Sequence, residues 1–194
     1  SVLRTSLLPG LIKTASINQR NKTPGMFVWE MGRVFFSSQK AGELPLEAGQ
    51  IAMMSYGTLS HGNWAFGSEN AGFFQLKGAL AALFDLLNVA DVSYMPKAGM
   101  PFHPGRSAKM VANMSVIGEI GEVHPLCQKD LGLTQPVFMA WLSLDVLADL
   151  TGGFEFERVS KLMPVERDLA VVVPERVSGG DVVNAVKETG TDLV

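Results

Sequence analysis

The 194-residue sequence predicts an α+β fold: an antiparallel sheet with helices packed against it. Two kinds of run predict it. Phe27–Phe36 and Gln50–Gly57 are rich in aromatic and aliphatic residues and joined by a short polar link, as in an antiparallel hairpin. Phe73, Leu76, Leu80, Leu83, Phe84 and Leu87, in contrast, recur at helical spacing.

In chain order, a helix from Ser6 to Ile17 enters through Thr5 or Ser6, with Pro9 in its opening turn. Leu7, Leu8, Leu11, Ile12 and Ala15 form its apolar face. The polar run Asn18–Gly25 ends in a Pro-Gly breaker before the first strand. Ser37–Leu46 is a loop, Gln50–Gly57 a strand apolar on both faces, and Gly57–Asn70 a loop carrying His61, Trp64 and Phe66. The helix Phe73–Leu87 ends at Asn88, and Val92–Met95 is a short strand ended by Pro96. Phe102–Ala108 reads as a tight turn around Pro104-Gly105. Lys109–Met114 and Ser115–Val123 pair as strands, their glycines marking close approach or a bulge. His124-Pro125 opens a short helix closed by Gly132, Val137–Leu144 is a central strand, and Asp145–Leu150 adds a helical turn. Thr151-Gly152-Gly153 breaks the pattern, and Phe154–Pro164 is a connector. Arg167–Val173 then reads as a strand, and Asp181–Lys187 as a helix with Val182, Val183 and Val186 on one face. Such a strand and helix cannot close a sheet alone, so the chain reads as a piece of a longer polypeptide.

Composition narrows the function. With 47% hydrophobic and 18% charged residues the chain is globular, and the low charge anticipates apolar surface that meets a partner. A net charge of −3 argues against a domain that mainly grips phosphate backbones. One cysteine, Cys127, excludes an internal disulfide framework and fits a reducing, cytoplasmic setting. No apolar run is long enough for a membrane helix.

Chemistry-bearing patterns are sparse. His61, His103 and His124 are far apart in sequence without paired ligand spacing, so no metal site is expected. Cys127, in a helical turn, reads as a buried structural thiol. Gly118-Glu119-Ile120-Gly121 has the letters of an RNA-clamping loop but lies in a strand-like run. His103 and Arg106 could form a pocket for a self-contained small-molecule enzyme, but a turn with a structural arginine is the favoured reading.

Five runs occur in the order found in the bacterial phenylalanyl-tRNA synthetase β-subunit family: Leu3–Leu11, Glu30–Phe35, Phe102–Ala108, Gly118–Pro125 and Arg167–Val173. The sequence resembles that family from Leu3 to Val173. The resemblance implies that residues 1–152 form a noncatalytic, class II synthetase-like core. It also implies that residues 153–194 hold a connector and the truncated start of a ferredoxin-like anticodon-binding domain.

In that family catalysis belongs to the α subunit. Class II enzymes hold the ATP α-phosphate with an arginine ending the first motif 2 strand and the γ-phosphate with an arginine after the motif 3 strand. Phe36 and Val146 stand at those places here, and neither can bind a phosphate, while Trp141 fills the space of a motif 3 glycine. No catalytic, cofactor or metal residue is therefore expected in this chain. The resemblance further implies a heterotetramer of two α and two β subunits that charges tRNA(Phe) with phenylalanine using ATP and magnesium. The helices Ser6–Ile17 and Phe73–Leu87 are the candidate interface elements.

Overall fold

A computed structural model describes residues 2–38, 42–65, 67–153, 156 and 165–190. The chain divides into two compact units, residues 1–153 and 154–194.

The first unit is built on one antiparallel sheet. The chain enters through α1 (Leu8–Arg20) and then forms the hairpin β1 (Gly25–Phe36) and β2 (Leu46–Ser60). A two-residue strand β3 (Glu69–Asn70) pairs with the end of β2. There follow α2 (Phe73–Leu86), β4 (Ser93–Pro96), β5 (Phe102–Ala112), β6 (Ser115–Val123), α3 (Pro125–Asp130), β7 (Val137–Ser143) and α4 (Leu144–Leu150). The sheet order is β1-β2-β7-β6-β5-β4, which leaves β1 and β4 at the edges and β7 near the centre.

Strand alternation divides the core between the two faces of the sheet. On one face Leu8, Leu11, Ile12 and Ala15 of α1 pack with Ala52, Met54 and Tyr56 of β2 and with Val137 and Met139 of β7. On the other, Leu76, Leu80 and Phe84 of α2 and Leu147 of α4 pack with Met53, Ile120, Ala140 and Leu142. Burying each such side chain is worth about 1.5–3 kcal/mol, which is why β2 and β7 are apolar on both faces.

The predicted hairpin, central strand, α2 and the β5–β6 pair are present. Boundaries differ where tertiary contacts outweigh local pattern. α1 starts two residues late, because Leu7 donates its N–H to the buried Gln50 side chain at 2.9 Å. It runs on to Arg20, because Gln19 Oε1 accepts N–H bonds from Thr134 (2.7 Å) and Gln135 (3.0 Å). The predicted Gly57–Asn70 loop begins as strand, since β2 continues to Ser60 alongside β3.

Two expectations are corrected. Phe102–Ala108 is not a tight turn but the first half of β5. Its turn-forming residues make a bulge: pairing with β6 holds at Phe102–Val123 and resumes at Ser107–Gly121. In the gap, His103 Nδ1 accepts the Gly105 N–H at 3.0 Å and the Ser107 hydroxyl donates to the His103 carbonyl at 2.6 Å. Side chains thus satisfy backbone groups that the ladder leaves open, and Pro104 has no N–H to satisfy.

In the second unit Arg167–Val173 has no regular structure. Among the described residues it has no ladder partner, and an isolated strand leaves every N–H and C=O to solvent. The helix α5 (Gly179–Gly190) does form. Ser178 and Asp181 cap it reciprocally, each side chain accepting the other's N–H at 3.1 Å. The connector Phe154–Pro164, apart from Phe156, and Phe66 lie outside the described residues.

Candidate functional site

The segment before α1 is tied to the outer part of β1. Arg4 ion-pairs with Glu30 at 2.6 Å, and its Nε donates to the Arg33 carbonyl at 2.9 Å. The Phe35 N–H donates in turn to the Arg4 carbonyl at 2.9 Å. A Cβ at Gly32 would collide with the Arg4 guanidinium, so glycine there leaves the passage the arginine uses. Two of the sequence runs singled out above, Leu3–Leu11 and Glu30–Phe35, are thus one structural unit. Beyond it Phe36 ends β1 with 42% of its surface exposed. The charged residue nearest in sequence, Arg33, pairs with Glu47 at 3.6 Å.

β7 and α4 form the second predicted region. Ser143 caps α4 through the Val146 N–H at 3.4 Å, and Asp145 accepts the Gly49 N–H of β2 at 3.0 Å. Val146 packs against the core on the α2 face. Trp141 packs on the α1 face and donates its indole N–H to Glu119 at 3.2 Å. Phe36 closes β1 and Val146 sits in the first turn of α4, and neither side chain offers a donor or a charge.

His103 and Arg106 are placed in different surroundings. Arg106 pairs with Glu122 at 2.9 Å, the arginine side chain 66% exposed and the glutamate side chain 10%. The pair borders an open groove of about 420 Å³ lined also by Phe73, Phe74, Tyr94 and Phe138. Lys77 stands 4.2 Å above the Tyr94 ring, and burial raises the Tyr94 pKa above its ordinary value. His103 does not line this groove; its Nδ1 is committed to the bulge. The three histidines are not all remote, as their spacing in sequence suggested. The His103 and His124 rings are 6.3 Å apart, and His124 Nδ1 caps α3 through the Leu126 N–H at 3.1 Å.

Gly118 and Gly121 serve packing. A Cβ on Gly118 would overlap the Trp141 carbonyl of β7, and one on Gly121 would press on Ser107 of β5. Cys127 is half-buried, less enclosed than the sequence suggested, and packs against the α1-side core. Among the described residues no group of three His, Cys, Asp or Glu side chains could hold a metal ion. No described helix is long and apolar enough to cross a membrane.

Two features escaped the sequence reading. Ser55 Oγ and Tyr56 Oη are buried without a hydrogen-bond partner of good geometry. Burial raises the Tyr56 pKa, and the Thr23 hydroxyl offsets this only in part. The other is an exposed stripe on β1, where Phe27, Trp29 and Met31 are 40%, 62% and 60% exposed. Its signal was present: β1 is apolar at Phe27, Trp29, Met31 and Phe35 as well as at Val28 and Val34, more than one covered face requires.

Comparison with known proteins matches residues 1–144 to the family described as phenylalanyl tRNA synthetase beta chain CLM domain. The chain belongs to this family. Along its whole length it is 36% identical to the phenylalanine–tRNA ligase beta subunit of Moorella thermoacetica and 34% identical to that of Bacillus cereus strain ATCC 14579. It spans 24% of each relative. Pyrrolysyl-tRNA synthetase from Desulfitobacterium hafniense is similar in structure, with a TM-score of 0.54 at 14% identity over 75% of this chain and 48% of that one. The family's antiparallel sheet flanked by helices is therefore a class II synthetase-like fold.

Proposed function

We propose that the chain is a segment of the noncatalytic β subunit of a cytoplasmic phenylalanine–tRNA ligase. It supports an α-subunit active site in an assembly of two α and two β subunits that attaches phenylalanine to tRNA(Phe). The observation that carries this reading is similarity over the whole chain to relatives of that name, about four times as long.

The chemistry of the site agrees with a supporting role. Holding ATP with its magnesium takes cationic side chains on the phosphates and carboxylates on the metal. Phe36, at the end of β1, and Val146, in the first turn of α4 just after β7, stand where active class II enzymes carry those arginines, and both are apolar. ATP and magnesium do not fit here and belong to the α subunit.

Residues 1–152 are the class II-like core and residues 153–194 the connector and opening of a ferredoxin-like anticodon-binding domain. The apolar side of α5, where Val183 and Val186 are 53% and 42% exposed, supports a helix waiting for a sheet. Arg167–Val173 becomes a strand when a neighbour is supplied.

Co-expression with the synthetase α subunit tests the reading: tagged full-length subunit should recover α, and the complex should charge tRNA(Phe). Recovery of a complex without phenylalanylation would refute it.

A further inference from the structure

On the face of the sheet that carries α2 and α4, those helices lie over the central strands β2, β6 and β7. β1 extends past them at the edge. Cross-strand register places Phe27, Trp29 and Met31 on this same face, opposite Ser55, Met53 and Ile51 of β2. The row continues from Ser55 to Phe138 of β7 and from Phe138 to Glu122 of β6, at the floor of the aromatic groove. Ser55 is fully buried and separates the stripe from that groove, so the stripe is a bare apolar strip confined to the sheet edge.

We infer that this β1 stripe is the seat of an amphipathic helix supplied by the part of the full-length subunit outside residues 1–194. The inference rests on the reading of the chain as about a quarter of a longer β subunit. A sheet face is covered by a helix: a helix is about 10 Å wide and two strands about 9.6 Å, so one helix fills the width of β1 and the margin of β2. From Phe27 to Met31 the stripe runs about 13 Å, the length of roughly nine helical residues.

Area decides between an intrachain helix and a separate subunit. Side chains of 150–250 Å² that are roughly half exposed leave on the order of 300 Å² of apolar surface on the stripe. That is well below the ~800 Å² per partner of a specific standalone interface. It is ample for a helix on the same polypeptide, which is already held nearby and loses little translational freedom on docking. The relatives' additional length gives that helix a source.

Hydroxyl-radical footprinting of the full-length subunit, read by mass spectrometry at Trp29 and Met31, tests this. Rates are compared with those in the urea-unfolded chain and with the buried Met54 and Met139 as protected references. The expected result is that Trp29 and Met31 of the subunit alone, at any dilution, react several-fold more slowly than in the unfolded chain and close to the buried methionines. Unprotected side chains in the subunit alone overturn the inference. So does protection that appears only on adding α subunit, which makes the stripe an α interface, or only at high concentration, which makes it a contact between copies. Phenylalanylation measured on the same preparation with α subunit reports separately on the functional reading.

Discussion

The Arg4 guanidinium occupies the space where any side chain at position 32 would stand, so Gly32 and Arg4 are one device. It fastens the entry of α1 to β1, where Arg4 reaches Glu30 and the Arg33 carbonyl. Gly32→Ala should displace Arg4 and lower stability by about 1 kcal/mol, a modest figure because the ion pair is partly exposed. In a double-mutant cycle by urea unfolding, the Arg4→Ala/Gly32→Ala pair should cost little more than Arg4→Ala alone. Additive losses would mean that the two act independently.

Gln19 joins α1 to the Thr134–Gln135 segment through one carboxamide oxygen that accepts two backbone N–H bonds. Gln19 is only 7% exposed, so Gln19→Ala strands those donors and should cost about 1–3 kcal/mol. A urea midpoint unchanged from the parent would contradict the role.

Gly118 and Gly78 should respond to alanine with opposite signs. At Gly118 the new Cβ meets the backbone carbonyl of Trp141, which cannot swing aside, so Gly118→Ala should cost more than about 3 kcal/mol or prevent folding. Gly78 lies within α2 with nothing near its Cβ position, so Gly78→Ala should gain about 0.5–1 kcal/mol. Thermal melting of the two variants reads both signs.

Tyr56 predicts an alkaline loss of stability. Burial holds its folded-state pKa above the ordinary 10.0, so above pH 10 the unfolded chain sheds the phenolic proton while the folded chain keeps it. Stability from this group is complete below pH 10 and falls as pH rises through the folded pKa. Tyr56→Phe should flatten that fall relative to the parent and be near neutral at pH 7, since the Oη has no well-placed partner. Equal slopes above pH 10 in parent and variant would contradict it.

These relationships mark how far the sequence reading reached. The hairpin, α2, the short helix opened by His124-Pro125 and the central β7 were legible because local pattern and tertiary role agree there. Phe102–Ala108 misled because Pro-Gly chemistry serves a bulge as well as a turn, and only the β6 register tells them apart. Arg167–Val173 has a strand's composition without a strand's neighbour. At the candidate site, the apolar character of Phe36 and Val146 was readable directly. That His103 and Arg106 part ways, one into a bulge and the other to Glu122, was not, since it depends on pairing across sixteen residues. The β1 stripe was overlooked because alternation on both faces looks the same whether a face is covered or bare.

The central claim is that this β-subunit segment supports catalysis without performing it. Phenylalanine-dependent exchange of pyrophosphate into ATP tests it most directly, measured on the full-length subunit alone and after adding α subunit. No exchange should occur alone, and exchange should appear once α is present. Exchange by the subunit alone would contradict the account.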